Sequence, residues 1–371
     1  MTVIEHVRLG DCCDIVSGAT PSTAEKKYWE GDILWATPKD LSDLKYKYIS
    51  DTPQKLTKAG YASCSAKILP EQSVLFSSRA PIGHVAINTV PMCTNQGFKS
   101  FVPDRDRLSA DYLYYWLKAN KAYLQSLGNG ATFKEVSKST IAEVKVPLPS
   151  LHEQRRIAAI LDKADALRAK RREAIAKLDQ LLHSVFIEMF GDPATNPKGW
   201  PLVCLGDAIE FSTGKLDSNA AEENGAYPFF TCSRTPSRIN TYAFDCEALL
   251  LAGNNAAGQY WVKHYSGKFN AYQRTYVLTL KNEHCTYLYM KQALQARLLD
   301  LQRMSKGSNT KYLTLSILKP MLIPLAPIEI QRSYCAFYVK LQQLLTDQYR
   351  SLEHLDALFR AAQDQVFSGT L

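Results

Sequence analysis

The sequence contains an internal duplication, and this feature constrains the fold more than any other. Residues 130–192 align without a gap on residues 307–369, and 14 of these 63 positions are identical. Chance would give about four identities at ordinary residue frequencies. Pro147 and Gln154 of the first copy match Pro324 and Gln331 of the second. A chain with this pattern is expected to fold as two copies of one structural unit.

The front part of each copy has diverged. A Leu-Gly-Asp motif at residues 9–11 matches the same motif at 205–207, and each is followed by a short apolar run and a glycine, Gly18 or Gly214. The separation here is 196 residues instead of 177, so the first front part is longer by a net 19 residues. The chain is therefore organised as front part, helix, second front part, second helix.

The back part of each copy is predicted to be a long helix. Residues 152–190 and 328–367 contain neither glycine nor proline, and each helix would be roughly 60 Å long, which suits a coiled-coil rod better than a compact core. Seam positions recur at alternating steps of four and three residues. Because the chain supplies two such seams, we expect them to pair within one molecule. The seams are Ile157, Leu161, Ala164, Arg168, Arg171, Ile175, Leu178, Leu182, Val185 and Met189, and Tyr334, Tyr338, Leu341, Leu345, Gln348, Leu352, Leu355, Phe359, Ala362 and Val366.

The front parts have the pattern of small α+β domains. Each carries one amphipathic helix candidate, Ala110–Leu127 or Cys285–Arg303. The predicted fold class is α+β, with two small α/β domains separated by two long helices in a pseudo-twofold repeat. The predicted boundaries are 1–150, 151–192, 193–327 and 328–371. Short β-type runs punctuated by Gly, Pro, Asn and Ser occur at Asp32–Trp35, Ser73–Phe76, His84–Ile87, Lys99–Val102, Ala248–Ala252 and Thr275–Leu280.

Composition excludes several classes of protein. Apolar residues make up 46% and charged residues 22% of the 371 residues, which excludes a largely disordered chain. No apolar run of about 18 residues occurs, and the N-terminus lacks the features of a signal peptide. Nine cysteines without a C-x-x-C pair indicate free thiols and a cytoplasmic location. A net charge of +8 allows a polyanionic partner without requiring one.

No catalytic motif is present. The sequence has no phosphate-binding loop, no dinucleotide turn, no paired histidine spacing for a metal and no nucleophile elbow. We therefore predict no catalytic residue and no metal ligand. Two other classes stay open from the residues alone, namely a self-contained DNA methyltransferase or nuclease and a protein-binding adaptor.

Both front parts instead carry polar loops beside strands, interleaved with aromatic and basic residues. Asn and Gln can read adenine, Arg can read guanine, and Ser, Thr and Lys can hold phosphates. We therefore predict that these loops contact DNA. The candidate residues are Thr20, Thr37, Lys39, Ser78, Arg79, Asn95, Gln96, Lys99 and Lys134 in the first copy and Arg234, Asn254, Asn255, Gln273, Arg274 and Lys311 in the second.

These features together resemble one family, the specificity (S) subunits of Type I restriction–modification systems. Residues 146–193, VPLPSLHEQRRIAAILDKADALRAKRREAIAKLDQLLHSVFIEMFGDP, resemble that family's central helix and its entry motif Pro-Leu-Pro-x-Leu-x-Glu-Gln-x-x-Ile. The segments YWEGDILWATPKDL, SVLFSSRAPIGHVAI, TNQGFKSFVP and GNGATFK resemble its target-recognition domains. The second copy departs from the entry motif, with Ile330 where the first has Glu153.

The resemblance implies a non-catalytic reader of double-stranded DNA. Two target-recognition domains would each read half of a bipartite, asymmetric target, and the two helices would pack antiparallel and set the distance between the half-sites. Two methyltransferase (M) subunits would dock on the chain, and restriction/translocase (R) subunits could join them. S-adenosylmethionine would be bound by the methyltransferase subunits, so this chain would bind no cofactor of its own and no membrane.

Overall fold

A computed structural model describes residues 4–44, 46–79, 81–130, 134–256 and 258–367. The chain forms two compact units. The first unit comprises Met1–Arg172 and Arg350–Leu371, and the second comprises Glu173–Tyr349.

The first unit contains three sheets among its described residues. A five-stranded sheet has the order β2-β9-β6-β7-β4, a three-stranded sheet has the order β5-β3-β8, and β1 pairs with β10. The strands are β1 (His6–Arg8), β2 (Cys13–Ser17), β3 (Trp29–Ala36), β4 (Tyr48–Ile49), β5 (Lys55–Leu56), β6 (Val74–Phe76), β7 (Val85–Asn88), β8 (Cys93–Thr94), β9 (Lys99–Pro103) and β10 (Lys145–Pro147). The helices are α1 (Leu9–Cys12), α2 (Pro38–Ser42), α3 (Lys58–Ala62), α4 (Ala110–Ala119), α5 (Lys121–Ser126), α6 (Lys138–Ala142) and the start of α7 (Leu151–Phe190).

The second unit contains a six-stranded sheet with the order β12-β18-β15-β17-β13-β14 and two further strand pairs, β11 with β20 and β16 with β19. The strands are β11 (Leu202–Cys204), β12 (Ile209–Thr213), β13 (Tyr227–Phe230), β14 (Ser237–Ile239), β15 (Phe244–Ala252), β16 (Asn254–Asn255), β17 (Val262–Ala271), β18 (Thr275–Leu280), β19 (Lys311–Tyr312) and β20 (Leu322–Pro324). The helices are α8 (Leu205–Ala208), α9 (Tyr287–Ala296), α10 (Leu298–Met304), α11 (Leu315–Leu318) and the start of α12 (Ile328–Phe367).

The two long helices have the predicted lengths, and their seam residues are buried or half-buried. In the first unit, Arg168 of α7 forms an ion pair with Asp356 of α12 at 2.5 Å and lies 4.2 Å from the centre of the Phe359 ring. In the second unit, the Phe186 ring of α7 lies 5.4 Å from that of Tyr334 of α12. Positions late in one helix therefore meet positions early in the other within each unit, so the pairing is antiparallel.

The prediction of one continuous amphipathic helix in each front part is wrong. The first candidate is two helices, α4 and α5, which meet at Asn120, and the second is α9 and α10, which meet at Arg297. The backbone has φ −93° and ψ 19° at Asn120 and φ −96° and ψ 6° at Arg297, outside the helical region. At the first junction the Asn120 amide donates to the Trp116 carbonyl at 2.9 Å, so its side chain competes with the helical hydrogen-bond pattern. All six β-type runs predicted from sequence overlap strands, although Ser73 and His84 lie just before theirs.

Candidate nucleic-acid interface

In the first unit the predicted loops meet at one end of the sheets. The Thr20 hydroxyl donates to the Gln96 side-chain oxygen, which joins the loop after β2 to the loop before β9. The backbone N–H of Asn95 donates to the carbonyl of Ala36 at 3.0 Å, which joins the same loop to the end of β3. The N–H of Ser78 donates to the carbonyl of Gly97 at 2.8 Å. Four loops that are distant in sequence are therefore fixed side by side.

Gly18 and Gly214 explain why the duplicated front parts share a glycine after their second strand. A Cβ added to Gly18 would lie 1.9 Å from the Asn95 carbonyl oxygen, and one added to Gly214 would lie 1.6 Å from the Ala271 carbonyl oxygen. Any side chain at either position would push the neighbouring loop away. The close approach therefore holds the equivalent pair of loops together in each unit.

A carboxylate that the sequence analysis did not single out lies within the first loop cluster. Glu135 accepts from the Lys99 ammonium at 2.9 Å and lies 3.8 Å from the Arg79 guanidinium. The Lys99 side chain is only 10% exposed, whereas that of Arg79 is 36% exposed. Lys99 is therefore held inside the cluster by its ion pair, while Arg79 can reach outward with donors that Glu135 does not use.

The other predicted residues of the first unit divide by environment. Thr37 caps α2 through a reciprocal pair of hydrogen bonds with Asp40, and Ser78 is fully buried and donates its hydroxyl to the Gly97 carbonyl at 3.1 Å. These two hydroxyls position loops instead of facing solvent. Lys39 and Lys134 are exposed, and no described residue is an ion-pair partner of either. Residues 131–133 of the predicted GNGATFK turn lie outside the described residues.

In the second unit the predicted loops also converge. The Cys232 thiol donates to the Asn254 side-chain oxygen at 2.8 Å, and the N–H of Gly253 donates to the Arg274 carbonyl at 2.8 Å. Asn255 pairs with Lys311 through strands β16 and β19. These contacts join the loops after β13 and β15 to the loop before β18.

Two residues at the edges of this cluster have different surroundings. The Gln273 amide donates to Asp217 at 3.2 Å, which ties that side chain to the segment after β12. The Arg274 side chain is exposed, and its guanidinium has no acceptor in the described part of the chain. Of the two, Arg274 is therefore the one whose donors face solvent without a partner among the described residues.

Arg234 is held over an aromatic ring. Its guanidinium carbon lies 5.6 Å from the centre of the Trp261 ring, a distance suited to a cation–π contact. The preceding carbonyl, of Ser233, accepts from the Trp261 indole at 3.1 Å and from the Lys263 ammonium at 2.5 Å. Burial lowers the pKa of Lys263. The loop that carries Arg234 is therefore fixed by Lys263 of β17 and by Trp261, which immediately precedes that strand.

Sequence reasoning missed Glu135, Trp261 and Lys263. A signal existed for the last two, because residues 261 and 263 flank the buried Val262, the first residue of β17, and alternate residues of an extended chain lie on the same side. No signal existed for Glu135, whose partners come from other strands. Among the described residues, no group of three His, Cys, Asp or Glu side chains is placed to hold a metal. Within the same residues, no helix is both long and apolar enough to cross a membrane.

The family model of the Type I restriction modification DNA specificity domain matches residues 2–177 and 197–350. The two matched segments cover most of both copies. The chain belongs to this family. Each of the two matched segments contains one of the loop clusters described above.

Relatives of this specificity-domain chain carry the same description. It is 37% identical over 244 residues to the Type I restriction enzyme MjaIX specificity subunit of Methanocaldococcus jannaschii, covering 60% of this chain and 56% of that protein. It is 46% identical over 120 residues to the EcoDI specificity subunit of Escherichia coli, covering 32% and 25%. The chain thus spans about half or less of the length of these two relatives.

Two solved structures share the fold of this specificity-domain chain. One is a Type I restriction–modification S subunit from M. genitalium, with a TM-score of 0.64 at 17% identity, covering 99% of this chain and 97% of that one. The other comes from work on assembly and conformational transition of the type I R-M system, with a TM-score of 0.61 at 19% identity, covering 100% and 99%. The α+β fold with two long helices is therefore that of S subunits.

Proposed function

We propose that this chain is the DNA-recognition subunit of a Type I restriction–modification complex and that each loop cluster reads one half of a bipartite target. One observation carries the proposal. The clusters occupy equivalent places in the repeat, after β2 and β12, after β6 and β15, and before β9 and β18. Lys134 and Lys311 are also equivalent and identical.

The side chains at these equivalent places differ. Arg79 follows β6 in the first unit, whereas Asn254 and Asn255 follow β15 in the second. Arginine is suited to the acceptors of guanine, and asparagine to the acceptor and donor pair of adenine. Two clusters built on one plan but with different side chains fit an asymmetric target whose halves have different sequences.

Exposed leucines on the long helices support two identical partner subunits. Leu167 and Leu344 are equivalent in the repeat, as are Leu181 and Leu358, and these four side chains are 41–67% exposed. The same two positions of the repeat thus carry an exposed leucine in both copies, which fits a docking surface that is used twice. We propose that two methyltransferase subunits bind there, that they carry S-adenosylmethionine, and that restriction subunits join this assembly.

The proposed role is non-catalytic and places the chain on cytoplasmic DNA. The net charge of +8 is the small difference between 44 basic and 36 acidic side chains, so acidic side chains offset most of the positive charge that could attract phosphates. Tight binding that neutralises 6–10 phosphates needs about as many focused positive charges. We therefore expect weak DNA binding by the chain alone and tight binding when the methyltransferase subunits close around the duplex.

The experiment measures binding of the assembled complex to duplexes in which one half-site at a time is scrambled. Arg79→Ala and Gln96→Ala should weaken recognition of one half-site by about 1–3 kcal/mol each, and Arg274→Ala and Asn254→Ala should do the same for the other. Each pair of variants should leave recognition of the other half-site unchanged and so serves as its control. Arg105→Ala replaces an exposed arginine outside the first cluster and should leave recognition of both half-sites unchanged.

Three results would contradict the proposal. In the first, all four variants bind both half-sites as the unchanged protein does, which would remove the loop clusters from recognition. In the second, the purified chain methylates DNA with S-adenosylmethionine and no partner, which would make it an enzyme. In the third, the isolated chain binds a cognate duplex selectively at nanomolar concentration in about 0.15 M salt, which would remove the need for methyltransferase subunits.

A further inference from the structure

The first unit has a cavity of about 260 Å³ that none of the predicted DNA-contacting residues lines. It lies between the segment after α2, the start of β7 and the helices α4, α5 and α7. Its polar walls are Ser42, Tyr46, Lys47, His84, Tyr114, Lys118, Lys121 and Asp165. The cavity is thus separate from the loop cluster that holds Arg79 and Gln96.

The anionic groups near the cavity are already paired. Lys47 forms ion pairs with Asp111 at 2.6 Å and with Asp162 at 2.5 Å. Asp165, the carboxylate on the cavity wall, pairs with Arg168 at 2.7 Å. The carboxylates nearest the cavity therefore form their ion pairs with Lys47 and Arg168.

The remaining cations on the cavity walls are two lysines. The Lys118 ammonium donates to the Tyr114 hydroxyl at 3.2 Å, and within the described chain neither Lys118 nor Lys121 has a carboxylate within ion-pair distance. The stem of Lys121 lies against Gly83, with its Cγ 2.8 Å from where a Cβ would be. Two lysines and His84 thus line one space. The carboxylate that the structure describes on its wall, Asp165, is paired with Arg168.

These cations destabilise one another. The pKa of His84 is lowered by burial and then by the charges of Lys121 and Lys118. The pKa of Lys118 is lowered chiefly by loss of hydration, and the charges of Arg168 and Lys121 lower it further, while Asp165 partly offsets them. Like charges gathered at a free-energy cost are typical of binding sites, because a bound counter-ion relieves the repulsion.

We propose that this cavity binds a phosphate group, with Lys118 and Lys121 supplying charge and His84 and the Tyr114 hydroxyl supplying hydrogen-bond donors. Ammonium groups are compact charges suited to phosphate, and charge-assisted hydrogen bonds are stronger than neutral ones. The phosphate can come from a small molecule or from the DNA backbone beside the half-site. The small-molecule source does not depend on the function proposed above.

The test for a small molecule is thermal unfolding of the full-length chain with pyrophosphate, against sodium chloride at equal ionic strength. A ligand that binds only the folded state raises the unfolding temperature saturably. Lys118→Gln/Lys121→Gln should weaken the apparent affinity at least about tenfold. The matched control Lys145→Gln/Lys163→Gln removes two exposed lysines outside the cavity and should bind as the unchanged protein does. The single variant Lys121→Gln, at an exposed position, provides the test if the double variant fails to fold.

The test for a DNA phosphate uses the assembled complex. If the cavity holds a backbone phosphate, the double variant should reduce the slope of log affinity against log salt by about 0.9 for each phosphate that is no longer neutralised, with discrimination between cognate and mismatched duplexes unchanged. Saturable stabilisation by pyrophosphate with an unchanged slope identifies a small phosphate ligand. A reduced slope without such stabilisation identifies DNA. If neither effect is observed, the proposal is overturned. A complex that does not bind DNA at all would instead overturn the proposed function, and the pyrophosphate test would still apply.

Discussion

Gln154 and Gln331, which are equivalent in the repeat, make the same three hydrogen bonds in their separate units. Gln154 accepts from the N–H of Ser109 at 2.8 Å and donates to the carbonyls of Arg107 and Pro149. Gln331 accepts from the N–H of Thr286 at 2.8 Å and donates to the carbonyls of His284 and Ala326. Both side chains are fully buried at the start of a long helix. Each glutamine thus ties its helix to the domain that precedes it in sequence.

Gln154→Ala and Gln331→Ala should each lower the free energy of unfolding by about 2–4 kcal/mol, because each leaves one N–H and two carbonyls of partly or fully buried hydrogen bonds without their partner. Hydrogen exchange measured by peptide should place the loss around Arg107–Ser109 for the first variant and around His284–Thr286 for the second. Gln180→Ala, at an exposed position of α7, is the control and should change stability by less than about 0.5 kcal/mol. Equal effects of buried and exposed substitutions would contradict this account.

Lys47 joins α4 and α7 within the first unit, through its ion pairs with Asp111 and Asp162. Its side chain is only 10% exposed, so Lys47→Met would leave two neighbouring carboxylates partly buried without their cation. Since Asp162 is itself 40% exposed, we expect a loss of about 1–3 kcal/mol, below the cost of breaking a fully buried pair. Urea unfolding measures it.

Lys55→Met is the matched control, because Lys55 pairs with Asp51 at 3.1 Å where both side chains are well exposed, at 38% and 73%. Its loss should be under about 0.5 kcal/mol. If the two lysine substitutions cost the same, the ion pairs of Lys47 do not stabilise the unit.

The long helices, the repeat and the strands could be predicted from sequence because their signals are local. Absence of glycine and proline over about 40 residues and a seam with steps of four and three depend only on neighbouring residues. The breaks at Asn120 and Arg297 could not be predicted, because both residues are tolerated within helices and the change in chain direction depends on packing. The loop clusters were predictable in composition but not in arrangement. Ser78 shows this limit, since a serine in a polar loop proved to be fully buried.

Glu135 provides a test of how the first loop cluster discriminates between bases, and this prediction depends on the proposed function. Glu135 lies beside Arg79 and compensates Lys99, so it limits where the Arg79 guanidinium can point and repels phosphates that would otherwise bind there. In the assembled complex, Glu135→Gln should strengthen binding to non-specific duplex and reduce discrimination in one half-site by about tenfold, or about 1.4 kcal/mol.

The control for Glu135 is Glu143→Gln. Glu143 is 68% exposed and lies 3.4 Å from Arg8, so it also belongs to a carboxylate–arginine pair of the first unit. Its substitution should leave discrimination unchanged. If Glu135→Gln strengthens binding to cognate and non-specific duplexes equally, Glu135 does not position Arg79. The substitution would then act only by making the surface more positive.

His84 should make the stability of the first unit depend on acidity. Its pKa in the folded chain is below its ordinary value of 6.5, so the unfolded chain takes up a proton at a higher pH than the folded chain does. The contribution of the neutral His84 ring to the free energy of unfolding is therefore fully present above about pH 6.5, and it is lost as the pH falls towards the pKa of the folded chain. Lys118 and Lys121 oppose the protonated ring, with Lys47 and Asp165 on the other walls of the cavity.

Urea unfolding at pH 7.5, 6.5 and 5.5 measures the contribution of His84. The urea midpoint should fall further with decreasing pH for the unchanged protein than for His84→Gln. The other histidines titrate in both proteins, so the difference between the two falls reports His84 alone. Pyrophosphate should shrink this difference by compensating the protonated ring. Parallel curves for the two proteins would mean that His84 does not titrate against these lysines.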